Sequence, residues 1–326
     1  MGRRTGAAKV MCVLGALAMA VLFAASLFVG KYPLSLRELA AGNELQLRVF
    51  WTLRASRTCV GAVGGFALGA AGFVYQTVFR NPLASPDIIG VSSGASAGAA
   101  AGILFFSGAA AVTASSFTGA LLAVVIVLAL SALDKSGSKN TIVLAGIAVH
   151  SLAQTVLMCL KLTADPERQL ASIEYWIMGS LNGISGYSTG GNLLLCALCL
   201  AVLFPLHRQI ILLSGEEGEA RMLGVSVGKL RLFVLLTATL TVSAVISLTG
   251  LISFIGLLAP HGARLLTKDN RQATMLLSGL AGGSLLMAAD ILARSAASTE
   301  LPVSIFTSLL GAPFLILLIR RQTKKH

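Results

Sequence analysis

The residues able to do chemistry are few in this chain, and the setting of each narrows its use. Gly90-Val91-Ser92-Ser93-Gly94 has the G-x-S-x-G spacing of a nucleophile elbow, a motif that needs a sharp strand-to-helix turn to expose its serine. Here the five residues open the small-residue run SSGASAGAAAG, which reads as the start of a packed helix. Gly224-Val225-Ser226-Val227-Gly228-Lys229 approaches a phosphate loop, but the spacing is one residue short and Leu230 stands where Ser or Thr is needed. No nucleotide site of the chain's own is expected. His150, His207, His261 and His326 do not pair with one another at ligand spacing, so no metal site is expected. His150 and Gln154 are polar groups inside an apolar run, suited to a helix interface or to the wall of a pathway. Asp290 and Arg294 stand four apart, neighbours on one face of a helix.

The most informative polar segment is LLSGEEGEARMLGVSVGKLR, residues 212–231. Ser214 and Glu217 have the S-x-x-E spacing of a capping box. Glu216, Glu217 and Glu219 fall in a first turn and Arg221 falls late, as the helix dipole favours, and Gly224 supplies a stop. The pattern predicts a short capped helix in a loop, of a size to seat in a groove on a partner.

These residues must be positioned by a very apolar chain. Of its 326 residues 56% are hydrophobic and 12% charged, and its mean hydropathy is +0.84. A soluble domain carries about 25% charged residues, so a soluble enzyme and a disordered chain are both excluded. The expected fold class is all-α: one polytopic membrane domain over 1–326. Ten spans are predicted, at 10–30, 58–79, 89–107, 110–133, 141–163, 191–206, 230–250, 252–267, 273–296 and 303–320. The eighth contains Pro260, so a broken or tilted helix is expected there. With both termini inside, seventeen of the 25 Lys and Arg lie on the inner side and eight on the outer, in line with the positive-inside bias. That bias accounts for the net charge of +12 without nucleic acid. Arg48, Arg54 and Arg57 cluster against it, just before the second span. Gly65/Gly69, Gly94/Gly98, Gly98/Gly102 and Gly279/Gly283 are G-x-x-x-G pairs, which predict close helix packing. The five cysteines all lie in or beside apolar runs, and Cys196-x-x-Cys199 reads as small apolar packing.

Residues 48–98, from RVFWTLRASR to SSGASAG, resemble the signature region of the FecCD-like, or type II, permeases that import iron-siderophores, haem and cobalamin. The likeness continues in YWIMGSLNG (175–183), SGEEGEARMLGV (214–225), GLISFIGLLAPHGARLL (250–266) and residues 289–321. The resemblance implies ten helices in a multi-pass subunit of the cytoplasmic (inner) membrane, paired with a second copy or a paralogue. It also implies two ATP-binding cassette subunits and an extracytoplasmic substrate-binding protein. ATP and Mg would bind to the cassette partners, leaving this chain no cofactor and no catalysis. Cargo would be a metal chelate, with ferric siderophore the leading expectation and cobalamin or haem the alternatives. By the same resemblance, Arg54, Arg57 and Arg294 match outer-face arginines that dock the binding protein. Ser214, Glu216, Glu217, Glu219, Ala220, Arg221, Leu223 and Gly224 match a coupling helix that seats in the ATPase. Asn81 and Leu83 match an inner gate, with Lys139 and Asn140 near a second one. The chain has R-A-S-R at 54–57 where the family usually has R-L-P-R, which relaxes the backbone at Ser56. A rival of another class, an ion-gradient-driven secondary transporter, would need ionisable groups at the membrane midplane. His150 and Asp290 are the candidates for that.

Overall fold

Ten helices succeed one another where ten spans are expected: α1 (Gly2–Phe28), α2 (Ser56–Val78), α3 (Val91–Phe105), α4 (Ala109–Ala132), α5 (Lys139–Thr163), α6 (Gly186–Leu203), α7 (Val227–Thr249), α8 (Ile255–Thr267), α9 (Gln272–Ser295) and α10 (Val303–Thr323). This computed structural model describes residues 2–133, 139–184, 186–215, 222, 226–268, 272–297 and 299–323. No strand occurs among them. The runs containing α1, α2, α4, α5, α7 and α9 are long and apolar enough to cross a membrane, and α3, α6 and α10 contain shorter apolar helices. Exposed Leu and Val side chains on α1, α4 and α5 face outward, as apolar solvent permits.

The centre of the bundle is α2, buried along almost its whole length. Lipid offers no hydrophobic drive between helices, so association requires close backbone contact. The glycine pairs supply it. A Cβ on Gly69 would overlap the Ser278 carbonyl oxygen, which is how α2 lies directly on α9. A Cβ on Gly98 would overlap the Ser115 carbonyl oxygen, joining α3 to α4 in the same manner. Cys196 and Cys199 are buried, free cysteines on α6. The Cys196 thiol points at the Thr241 carbonyl of α7, 3.7 Å away.

Two spans depart from expectation. The eighth begins at Ile255 rather than 252, because Gly250 and Phe254 both take positive φ, 69° each, and the chain between α7 and α8 is not helical. Inside α8, Pro260 has no N–H to give the carbonyl of Gly256. That oxygen lies against Gly72 of α2, where no Cβ could fit. The second departure is the approach to α2. Asn43 caps the helix Glu44–Arg48 through Leu45 and Gln46 N–H groups, and a π-helical turn, Val49–Ala55, runs without a break into α2. Ser56 is helical (φ −58°, ψ −47°), and its hydroxyl donates to the Trp51 carbonyl, 3.3 Å away. With Ser at 56, the segment keeps a backbone N–H and continues as helix through this position.

Candidate functional site

Chemistry-bearing side chains gather at both ends of α2. At its N-terminal end the structure brings Arg54, Arg57 and Arg294 together, as expected, but not as surface groups. They are 7%, 8% and 2% exposed. Arg54, on the π-helical turn, donates to the carbonyls of Val29 and Tyr32, the latter at 3.1 Å. It thereby caps the chain leaving α1. Gly30 makes room for it: φ is 155° there, and a Cβ would overlap the guanidinium. Arg57 holds Asp290 through Nε (2.9 Å) and Nη2 (2.7 Å), and Glu300 through Nη1 (2.8 Å). Asp290 also pairs with Arg294 at 3.3 Å, the i,i+4 contact expected on α9. Arg294 donates to Ser26 Oγ at 2.6 Å, and Ser26 bonds Thr58 Oγ1 at 2.9 Å.

One network thus ties α1, α2, α9 and the segment before α10. The three expected docking arginines are therefore held within the subunit, buried rather than standing free on its surface. A guanidinium out of water needs partners: Arg54 and Arg57 find theirs inside the subunit, and Arg294 does so through Nη2, while its Nε and Nη1 are buried without a hydrogen-bond partner among the described residues. Of the acidic partners, Glu300 is the one that reaches toward solvent, its side chain 23% exposed against 2% for Asp290.

At the C-terminal end the helix stops within a few residues. Arg80 takes φ 51°, the left-handed region that non-glycine residues rarely occupy. Asn81 then organises the turn: its Oδ1 accepts from Leu83 N–H (2.9 Å), and its carbonyl accepts from Ala84 N–H (3.1 Å). Asn81 and Leu83 are exposed, Leu83 by 54%. The short 3₁₀ helix Pro86–Ile89 follows and packs on α5, so closely that a Cβ on Gly146 would overlap the Ile88 carbonyl. Lys139 and Asn140, expected near a second gate, are the first two residues of that α5. Gly146 is seven residues further, about 10 Å along the helix. Ser92 donates to Asp87 within this turn. The serine motif is therefore a helix-start contact, with Gly90 at φ 75° between the 3₁₀ helix and α3.

The turn is anchored by residues the sequence did not single out. Arg264 of α8 donates to Gln76 Oε1, to Thr77 Oγ1 (3.1 Å) and to the Phe73 carbonyl (3.4 Å), and its guanidinium lies 5.1 Å over the Phe73 ring. Gln76 in return donates to the Leu257 carbonyl at 3.1 Å. A Gln and an Arg inside apolar spans were the available signal.

Of the capped-helix residues, Ser214 is described, and its hydroxyl donates back to the Ile211 carbonyl at 2.6 Å. Glu216, Glu217, Glu219, Ala220, Arg221, Leu223 and Gly224 lie outside the described residues. The helix His207–Leu212 leads to them and packs against α2, α7 and α9.

A cavity of about 680 Å³ sits at the end that carries the arginine network, walled by Tyr175, Trp176, Asn182, Thr189 and Ser247. The YWIMGSLNG segment forms its rim and is tied by backbone: Ser180 N–H donates to the Thr249 carbonyl (2.7 Å), and Val303 N–H to that of Gly179 (3.0 Å). His150 and Gln154 are half-buried on α5. His207 contacts the Phe204 carbonyl at 2.8 Å, and His261 meets the Phe314 ring edge-on at 5.7 Å.

Comparison with known proteins gives one consistent family. The sequence profile described as the FecCD transport family matches residues 18–321. The cobalamin import system permease protein BtuC of Halobacterium salinarum is 38% identical over 271 residues, 82% of this chain and 72% of that protein. The achromobactin transport system permease protein CbrC of Dickeya dadantii is 35% identical over 330 residues, 95% and 90% of the two chains. Among solved structures, an inward-facing putative metal-chelate type ABC transporter superposes with a TM-score of 0.86 at 30% identity, covering 96% of this chain and 99% of that one.

Proposed function

The chain belongs to the FecCD transport family, and from that premise we propose that it passes a ferric siderophore across the cytoplasmic membrane. It is a permease subunit of an ABC importer of metal chelates, a multi-pass translocation subunit rather than an enzyme. Ion-gradient-driven transport is not the chemistry of this family. Two copies of the chain, or the chain and a paralogue, enclose a path at their shared axis. Two cassette subunits bind ATP and Mg and hydrolyse the nucleotide, and an extracytoplasmic protein delivers the chelate. Their docking face is the end where Arg54, Arg57 and Arg294 hold α1, α2 and α9 together, with Glu300 as its outward group. Lys139 and Asn140, opening α5, stand at a second constriction beside the turn.

The observation that carries the gating part of this reading is the turn Asn81–Leu83. An apolar side chain left more than half exposed at the end of the buried central helix is suited to meet its counterpart from a second copy and close a path between them. The siderophore cargo is supported by the achromobactin permease, matched over more of both chains than the cobalamin one. The latter supports cobalamin as the second reading.

The test is reconstitution in liposomes with the cassette and binding subunits, loading ferric hydroxamate, ferric carboxylate, haem and cobalamin in turn. ATP-dependent accumulation of a ferric chelate is expected. Accumulation of cobalamin or haem alone would overturn the cargo, and robust ATP hydrolysis by the isolated chain would overturn the division of labour.

A further inference from the structure

We propose that Arg80 is the positioning residue that links the ATPase-facing loop to the inner gate. The proposal rests on reading the Asn81–Leu83 turn as that gate. Arg80 Nε donates to the main-chain carbonyl of Leu213, 3.3 Å away and 133 residues distant in sequence. Leu213 follows the helix His207–Leu212 in the connection between α6 and α7, immediately before residues 214–224, which the family resemblance matches to the helix that seats in the ATPase. Asn81, the next residue after Arg80, sets the gate turn through its side chain. Loop and gate are therefore one hydrogen bond and one peptide bond apart.

The backbone at Arg80 argues that the side chain is what matters there. Its φ of 51° is a conformation glycine adopts freely and a residue with a Cβ adopts under strain. An arginine kept in that position supplies something a glycine cannot, and the bond to Leu213 is that contribution. The surroundings sort into a fixed part and a free part. Upstream, Arg264 grips Phe73, Gln76 and Thr77, and Gln76 grips Leu257, so the last turns of α2 are pinned to α8. Leu213 itself is 2% exposed and packed in the core, so its carbonyl moves only with its helix. Downstream, Asn81, Pro82 and Leu83 are exposed. A displacement of His207–Leu212 pulls on Arg80, and because α2 cannot follow, the turn swings.

The experiment follows the gate without needing the cargo. The chain, with its cysteines replaced and Leu83→Cys introduced, is reconstituted with its cassette partner in vesicles whose inner face is turned outward. Labelling of position 83 by a membrane-impermeant maleimide is timed with and without ATP and Mg. With Arg80 intact, the labelling rate should change by about fivefold or more between the two states. Arg80→Gly keeps the backbone conformation and removes the donor; Arg80→Met keeps the reach and removes the donor. Both should hold the rate constant across nucleotide states while ATP hydrolysis continues, and Arg80→Lys, which still donates, should retain most of the response. A full ATP response in Arg80→Gly or Arg80→Met overturns the link. Should one of these fail to assemble, the other still decides. No nucleotide response with Arg80 intact would instead overturn the gate reading, so the two failures are told apart.

Discussion

The two ends of α2 carry arginines used in opposite ways. At the N-terminal end Arg57 is buried against Asp290 and Glu300 and is fixed on several sides at once. At the C-terminal end Arg80 is exposed, holds a single carbonyl across a loop, and is followed by an exposed Leu83. Buried charges tolerate no loss of partner, which suits a part that must not move. Exposed groups joined by single hydrogen bonds have small barriers to rearrangement, which suits a part that must. The helix is thereby held at both ends, and the movable part is the exposed turn just beyond its C-terminus.

Four changes test that contrast, from the largest effect to the smallest. Asp290→Ala leaves Arg57 and Arg294 buried without their shared carboxylate, and should cost about 3–5 kcal/mol. Loss of monodisperse protein on heating in detergent is the readout, and a normal melting curve would mean that the clamp is dispensable. Leu83→Gly removes an apolar contact worth roughly 1.5–3 kcal/mol if a second copy buries it. Passive release of chelate from loaded liposomes should rise by about tenfold or more, with stability unchanged; a wild-type leak rate would move the gate away from this turn. Asn81→Ala deletes the side-chain acceptor of the turn, a loss of about 1 kcal/mol in related caps. Leak should rise by only a few-fold and Asn81→Asp should recover it, whereas equal leak in Ala and Asp variants would separate the turn from the gate. Lys161→Ala breaks the pair with Glu174, formed at 2.9 Å by side chains 27% and 47% exposed. It should change thermal stability by under about 1 kcal/mol, and less at high salt. A cost matching that of Asp290→Ala would refute burial as the source of the difference.

The sequence was most legible where one physical rule dominates. Lipid demands long apolar helices, so α4, α7 and α9 could be placed within a few residues from composition alone. The G-x-x-x-G pairs pointed to real backbone seams, because close approach has no other cheap solution. Span eight was less legible, since its start depends on positive φ at Gly250 and Phe254, a consequence of how α7 and the 175–183 segment meet. The π-helical entry to α2 was likewise hidden in R-A-S-R, which by itself signals only a missing proline.

Sequence by itself determined that this chain is an all-helical membrane protein, and it predicted both ends on one side with the arginines at 54, 57 and 294 on the other. Those properties follow from hydropathy and charge, which are sums over residues. Tertiary structure alone decided what the arginines do. Whether Arg294 faces a partner protein or Asp290 and Ser26 depends on burial between α1, α2 and α9, and burial is a property of the packed bundle. The same holds for Arg80 and Leu213: separated by 133 positions, they meet because α2 and the helix before α7 end at the same place.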